Sequence, residues 1–502
     1  GVATAAVIES GSGGGKSGGL GIILTGALGG ALFKVGQAGL GLWTSAHEMA
    51  RRVGDTVLYF GSDLSPALLA VGYIVRLNIA VLVFIGGFIS WYIAIPIYHA
   101  MNVDLYAGKE AAEAAWTIWN SKIRYLGVGA MVVGGLWALV SLRSSLIDGI
   151  VSGVRAVRER KAGTDIPDTE RDLPMNWVLV AIVASVVPLF LFYQHVTGDL
   201  TVSIPMAFVM VVAGFLFSAV ASYMAGLVGS SNNPISGVTI ATILFASLLL
   251  FAILGSEAGV QGAASALLIG SVVCCAAAIG GDNMQDLKAG HILGATPWRQ
   301  QVMQVLGVVS AAVVLAPVLM LLHEAFGFVG AAGPEHTEPL AAPQAGLMAS
   351  VAQGVFEQNL PWGMIQIGAL IAVVIIAVDE WLKKRGSTWR TPVLAVAVGI
   401  YLPFELSVPL LIGGILGHFA DRKTNNDSEA GHGGLLVASG YITGEALAGI
   451  GLALVIWLTG RRDVLHVVSE PLGSWPGILL LAGFAYGLYR VATRIRSGSN
   501  EP

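Results

Sequence analysis

The spacing of charges constrains this chain more than any other feature. From Leu200 to Ser256, 57 consecutive residues include no Asp, Glu, Lys or Arg. As one helix they would reach about 85 Å, more than two hydrocarbon cores, so the stretch must fold back once. The turn chemistry lies at Gly226 to Gly237, GLVGSSNNPISG, where Gly, Ser, Asn and Pro interrupt a continuous helix. Leu77 to Val103, Leu173 to Gly198, Ala258 to Gly281 and Gln300 to His323 are also free of charge, and each exceeds the roughly 20 residues that cross a bilayer. Only 12% of the 502 residues are charged, against about 25% in soluble proteins, which excludes a set of ordinary soluble domains.

The fold class expected is therefore all-α, a polytopic membrane protein of about twelve transmembrane or re-entrant helices. They fall near 20–42, 76–98, 123–147, 174–197, 200–226, 234–254, 258–280, 301–322, 359–379, 392–418, 435–458 and 475–494. Lys and Arg gather in the loops with Arg155 to Lys161, with Lys288 and Arg299, and with Lys383 to Arg390, which marks that side as cytoplasmic. Glu324 to Glu357 has acids and no Lys or Arg, so it reads as the main external loop, kept irregular by Pro334, Pro339 and Pro343. Beyond Thr391 simple alternation would place basic loops outside, which makes Thr391 to Ala420, with Pro403 and Pro409, the candidate re-entrant segment.

A net charge of −4 gives no basic surface for nucleic acid and no acidic tail. Cys274 and Cys275 are adjacent in an uncharged segment and read as small packing residues, not as a disulfide framework. No His/Cys cluster points to a bare-metal site, and no cofactor is expected.

An internal repeat appears at a fixed offset of 327 residues: Ala70-Val71-Gly72 match Ala397-Val398-Gly399, Val81 matches Val408, and Ile85-Gly86-Gly87 match Ile412-Gly413-Gly414. One copy carries Arg76 and Asn78 where the other has Pro403 and Glu405. Duplicated bundles with interrupted segments at corresponding positions are common in secondary transporters, although a Gly-, Ala- and Val-rich composition supplies some matches by itself.

The polar constellations follow. Gly280 to Gln301, GGDNMQDLKAGHILGATPWRQQ, packs Asp282, Asn283, Gln285, Asp286, Lys288 and His291 directly after an uncharged span; the plain alternative is a solvated cytoplasmic loop. Asp282 and Asp286 are four apart, on one face of a helix, and are the candidates for gating or proton coupling. Asn232, Asn233 and Ser236 flank Pro234 in the inferred hairpin, where broken backbone can ligate cargo or simply turn. Tyr401, Glu405, Glu445 and Asp63 stand singly in apolar surroundings, where a carboxyl carries a proton or makes a structural hydrogen bond.

Enzyme-like patterns fail. Ser10 to Ser17, SGSGGGKS, has Ser10 where a phosphate-binding loop needs Gly, and Asp379 only ends an apolar run. IGGD at Ile279 to Asp282 has no partner Tyr-Asp pair within a span. His47-Glu48 lacks a second His, so no zinc-protease helix is present.

Several segments resemble the oligopeptide transporter (OPT) family, which includes the yellow stripe-like metal-chelate carriers. They are Ser65 to Gly87 (SPALLAVGYIVRLNIAVLVFIGG), Asn233 to Ile240 (NPISGVTI), Gly280 to Gln301, Ala397 to Pro403 (AVGIYLP) and Ser439 to Ile450 (SGYITGEALAGI), in the family's order. The resemblance implies a single transporter domain over 1–502 and secondary, proton-coupled uptake of small oligopeptides or peptide-like metal chelates. It also implies a bacterial inner membrane and, as in many carriers of this kind, a homodimer. Members carry further hydrophobic segments ahead of the part resembled by Gly1 to Trp43, so the chain reads as lacking the amino-terminal spans. The repeat halves would be 20–150 and 350–495 around a central bundle 174–325. Tyr73, inside the first matching stretch, joins the candidate residues. The rival reading is a passive channel, or a small-solute or ion permease without peptide specificity.

Overall fold

The computed structural model of the chain describes Ala5, Ile8 and residues 18–106, 108–141, 167–228, 235–328, 339–340, 342–357, 361–387, 389–424, 428–461, 463–468 and 470–493. In chain order the elements are α1 (Gly18–Lys34), β1 (Ala46–Val53), β2 (Thr56–Asp63), α2 (Pro66–Val75), α3 (Leu77–Phe88), α4 (Ile95–Met101), α5 (Ala111–Ile118) and α6 (Arg124–Ser141). Next come α7 (Met175–Thr197), α8 (Leu200–Val228), α9 (Ile235–Leu254), α10 (Gly259–Ile292), α11 (Pro297–Phe326) and α12 (Pro343–Glu357). The last are α13 (Trp362–Lys384), α14 (Val393–Tyr401), α15 (Phe404–Lys423), α16 (Ser428–Thr459) and α17 (Trp475–Ala492). Three π-helical turns, Val35–Gly39, Ile89–Ala94 and Trp119–Ile123, extend α1, join α3 to α4 and join α5 to α6.

Among the described residues nine helices are long and apolar enough to cross a membrane. Two of them, α7 and α11, bury none of their apolar stretch, leaving Val183 69% and Val313 70% exposed. Contiguous apolar surface of this kind is costly in water and neutral against acyl chains. The protein is an integral membrane protein.

The chain forms two compact units. The first comprises Gly1–Gly14, Val132–Leu315 and Gln344–Leu360; the second comprises Gly15–Met131, Ala316–Pro343 and Pro361–Pro502. In the first, α10 is the central helix, packed along α8 and α9. Tyr193 of α7 is fully buried there, its hydroxyl donating to the Ser265 carbonyl at 2.9 Å.

In the second unit two helices are broken. Arg76, at φ +73, separates α2 from α3 and is the only non-glycine residue with positive φ among those described; such a backbone costs about 1–3 kcal/mol and persists only where its surroundings hold it. Leu402 and Pro403, both extended, separate α14 from α15, because proline removes a helical donor and biases its predecessor away from the helix. The broken segment beyond Thr391 is thus divided at Pro403, while Pro409 is absorbed within α15.

The pieces pack crosswise, α2 on α15 and α3 on α14. The contacts are reciprocal: Gly72 lies against the Leu410 carbonyl and Gly399 against that of Val83, while Gly86 meets the Val396 carbonyl and Gly413 that of Leu69. Each member of one contact is 327 residues from its counterpart in the other. A second reciprocal set joins α1 to α16 (Gly30 on Tyr441, Gly444 on Ala27) and α6 to α13 (Gly368 on Leu126, Gly129 on Ile365). Small residues let helix backbones approach where lipid offers no hydrophobic drive for association, which accounts for much of the glycine content.

Three features depart from expectation. Residues 46–63, read as part of a connection, form an antiparallel hairpin. Gly54 takes φ +59 at the first position of its two-residue loop, a conformation suited to the twist of a tight hairpin. Pro343 to Glu357, expected to be irregular, is helical: Pro343 sits at its start, where a missing N–H costs nothing. Asp282 to Lys288 do not form the alternative loop but continue α10 to Ile292. That helix is about 50 Å long, so its polar end reaches beyond a hydrocarbon core.

Candidate functional site

The hairpin organises the second unit's polar groups. Alternation puts Val57, Tyr59, Gly61 and Asp63 of β2 on one face, opposite Arg52, Ala50, Glu48 and Ala46 of β1. The tip is tied down: Arg52 Nη2 donates to the carbonyls of Tyr106 (2.7 Å) and Lys109 (2.5 Å), Thr56 Oγ1 to that of Pro96 (3.1 Å), and His99 Nδ1 to that of Asp55 (2.8 Å). The base is tied as well, through a His47 Nδ1 to Ser474 Oγ hydrogen bond of 2.7 Å and through Gln37 Nε2, which donates to the Leu64 carbonyl at 3.2 Å.

Tyr59 is almost fully buried, its ring 4.7 Å from Trp91 and 6.0 Å from Trp116. Its hydroxyl donates to Glu405 Oε2 at 3.4 Å. Glu405 lies in the first turn of α15, where the helix dipole favours a carboxylate. Gly61 makes room for it, since a side chain there would come within 2.6 Å of the Tyr59 hydroxyl and 3.1 Å of Glu405 Cβ.

The start of α2 is held differently. Ser65 caps it, accepting from the Leu68 N–H at 3.1 Å, and donates its own proton to the Glu445 carboxylate, whose oxygens lie at 2.9 and 3.0 Å. The Ala67 N–H donates to Glu445 Oε2 at 2.9 Å. A carboxylate from α16, 380 residues away from Ser65, thus satisfies the free Ala67 amide at the start of a helix.

Asp63 stands between these two sites, half-buried and within electrostatic reach of Lys34, Glu445 and Glu405. Burial, reinforced by Glu445 and opposed by Lys34, pushes its carboxyl up to about 7. Lys34, in the last turn of α1, donates to Gln37 Oε1 at 3.4 Å. The result is a group of four carboxyls (Glu48, Asp63, Glu405, Glu445) and one ammonium (Lys34) around the N-termini of α2 and α15.

The structure brings together Glu405 and Glu445, with Asp63 between them. Tyr73 and Tyr401 are buried on the broken helices instead, Tyr401 against Gly127 and Tyr73 against Gly417 and Gly434. Asp282, Asn283, Gln285, Asp286 and Lys288 belong to the first unit. Gln285 Nε2 donates to the Ala225 carbonyl at 3.1 Å and Gln304 Nε2 to Asp286 Oδ2 at 3.4 Å, while Asp282, Asp286 and Lys288 are exposed. Asn232 and Asn233 lie outside the described residues, as do the Ser236 side chain and the Ser10 to Ser17 motif.

Sequence reading missed Lys34, Gln37, Glu48, Tyr59 and Ser65. The alternation of Thr56 to Asp63 after Gly54-Asp55 is the signal that would have found the hairpin. His47 and Glu48 lie on a strand. Asp379 is an anchor for the approach to α14: Arg390 donates to it through Nε (2.9 Å) and Nη2 (2.6 Å), and the Thr391 N–H adds a bond of 2.7 Å. Replacing Asp379 by Ala should cost about 1.5–3 kcal/mol, the range for hydrogen bonds to a charged group, seen as a lower melting temperature in detergent. An unchanged melting temperature would deny Asp379 that role.

The family model described as OPT oligopeptide transporter protein matches residues 1–456. A Haemophilus influenzae protein named for oligopeptide transport is 34% identical over 479 residues, covering 88% of this chain and 74% of that protein. A rice (Oryza sativa subsp. japonica) protein named for metal-nicotianamine transport is 25% identical, covering 79% of this chain and 60% of its own length. A Saccharomyces cerevisiae protein named for oligopeptide transport is 22% identical, with coverage of 76% and 57%. No solved structure matches the chain at a significant level. The run of helices long enough to span a bilayer and the family match along most of the sequence lead to one conclusion: this chain belongs to the OPT oligopeptide transporter family.

Proposed function

We propose that the protein is a proton-coupled importer of small oligopeptides or peptide-like metal chelates in a bacterial inner membrane. The observation that carries this reading is the group of four carboxyls and one ammonium around two broken-helix N-termini. A peptide presents an ammonium and a carboxylate. Glu48 and Glu405 suit the first, and Lys34 suits the second. The same acids suit the positive charge of a chelated metal. The Haemophilus relative supports the peptide and bacterial parts of the reading, and the rice relative supports the chelate.

In this reading the reciprocal glycine contacts mark two copies of one unit, 20–150 and 350–495, around a central bundle 174–325. Asp282 and Asp286, at the exposed end of α10, serve gating. Asn232, Asn233 and Ser236 contact cargo, and the carrier works as a homodimer.

The test is uptake into proteoliposomes. Accumulation of a labelled peptide against its gradient, driven by an imposed pH difference and competed by di- to pentapeptides or by iron chelates, is expected. Flux that ignores the pH difference would make the protein a channel or a permease.

A further inference from the structure

We infer that Asp63, at the joint between the hairpin and α2, is the residue that takes up and releases the coupling proton. The inference rests on the proton-coupled reading and assigns it to a residue. Among the described residues the other acids of this region are occupied or open to solvent. Glu445 is taken up by Ser65 and the Ala67 N–H, Glu405 accepts from Tyr59, and Glu48 is exposed. The Asp63 carboxyl accepts no hydrogen bond and forms no ion pair among those residues. It is nevertheless faced by charges from three packed helices: Lys34 of α1, Glu445 of α16 and Glu405 of α15.

Its place in the chain gives it leverage. Asp63 ends β2, and Ser65, two residues on, is the cap of α2. When ionised, Asp63 is drawn to Lys34 and repelled by Glu445; when protonated, it loses both forces. The step is a simple exchange: hydronium from the acidic side gives its proton to the carboxylate, and water on the other side takes it back. Either change acts on the two residues that join a strapped hairpin to a clamped half-helix. A carboxyl pushed up to about 7 exchanges its proton within the range that a pH difference across a cell membrane spans.

The experiment compares the full chain with Asp63→Asn and Asp63→Glu in proteoliposomes, with radiolabelled trialanine as the probe. In the wild type an imposed pH difference drives accumulation, and an internal pH dye reports proton entry with the peptide. Asp63→Asn is expected to lose accumulation by about tenfold or more, the scale of a coupling free energy between two sites, and to lose the dye signal, while still exchanging labelled for unlabelled peptide. Asp63→Glu should retain coupling with a shifted pH midpoint. A thermal readout is independent of transport. Because the carboxyl is raised from 3.8 to about 7, its ionisation weighs against the folded state. That penalty is absent below pH 4, grows towards pH 7 and is constant above it. Asp63→Asn should therefore melt above the wild type at pH 8 and with it at pH 4.

Accumulation and proton entry preserved in Asp63→Asn overturn the inference and leave the proton-coupled reading standing. Loss of exchange together with accumulation, in a variant that melts as a folded protein, makes Asp63 a structural residue and also overturns it. Absence of proton-driven accumulation in the wild type, or accumulation driven by sodium instead, removes the reading and the inference together.

Discussion

Replacing Gly72 by alanine is expected to separate α2 from α15. A Cβ at that position falls on the Leu410 carbonyl group, with its carbon at 2.7 Å and the Leu410 Cα at 2.8 Å. Those are backbone atoms, so no rotamer change relieves the clash and the helices must move apart. The neighbouring contact, Gly413 on the Leu69 carbonyl, lies at the same crossing and is lost with it. Overpacking of this kind costs about 1–3 kcal/mol per methyl even in cores that can adjust, and the rigid partner here places the effect at about 3 kcal/mol or more. Gly399→Ala should behave alike, because Gly399 meets the Val83 carbonyl in the same manner. Gly449→Ala on α16 is the control: a Cβ there meets nothing within 4 Å, and the gain in helix propensity is about 1 kcal/mol at most. Thermal unfolding in detergent distinguishes the three. A Gly72→Ala protein that melts with the control would refute the close-contact account.

The second large effect is expected at Glu445. Glu445→Ala strips the acceptor from the Ser65 hydroxyl and the Ala67 N–H, at a position where Pro66 already leaves no spare donor to rearrange. Leaving donors without partners in a largely buried place, together with the loss of a helix cap, costs about 3 kcal/mol. Transport should suffer beyond this, because the start of α2 and the adjoining Asp63 lose their anchor; peptide accumulation is expected to fall by about tenfold or more. Glu445→Gln keeps an acceptor for the Ala67 N–H and should recover most of the stability. If Glu445→Ala melts and transports as the wild type does, the clamp has no role.

Much of the fold could be read from the residues because membrane insertion is decided locally. Each span reflects the apolar surface of some twenty neighbouring side chains, and a helix satisfies its own backbone whatever it packs against. The expected span near 174–197 therefore meets α7 at Met175–Thr197, and that near 359–379 meets α13 at Trp362–Lys384. The break at Pro403 was legible from proline's missing donor. The break at Arg76 was not legible from Arg76 itself, and only its correspondence with Pro403 drew attention to it. The hairpin was obscured because two short strands inside a helical chain present the same mixed polarity as a connecting loop, and strand pairing depends on what covers the strands.

Glu405 and Glu445 could be recognised as isolated acids, but not their different employment. Glu405 meets a tyrosine 346 residues away and Glu445 a serine 380 residues away. Nothing local distinguishes an acid that is clamped from one, like Asp63, that accepts no hydrogen bond among the described residues.

By itself, then, the sequence determined that this chain lies in a membrane, roughly where it crosses and where its helices break, and to which family it belongs. The tertiary structure alone decided which acids are held, which glycines touch backbone and which residues share the region around Asp63. The physical reason is one of range: hydrophobic transfer and backbone satisfaction add up along the chain over a few turns of helix, whereas the partner of a charge is whatever packing brings across hundreds of residues.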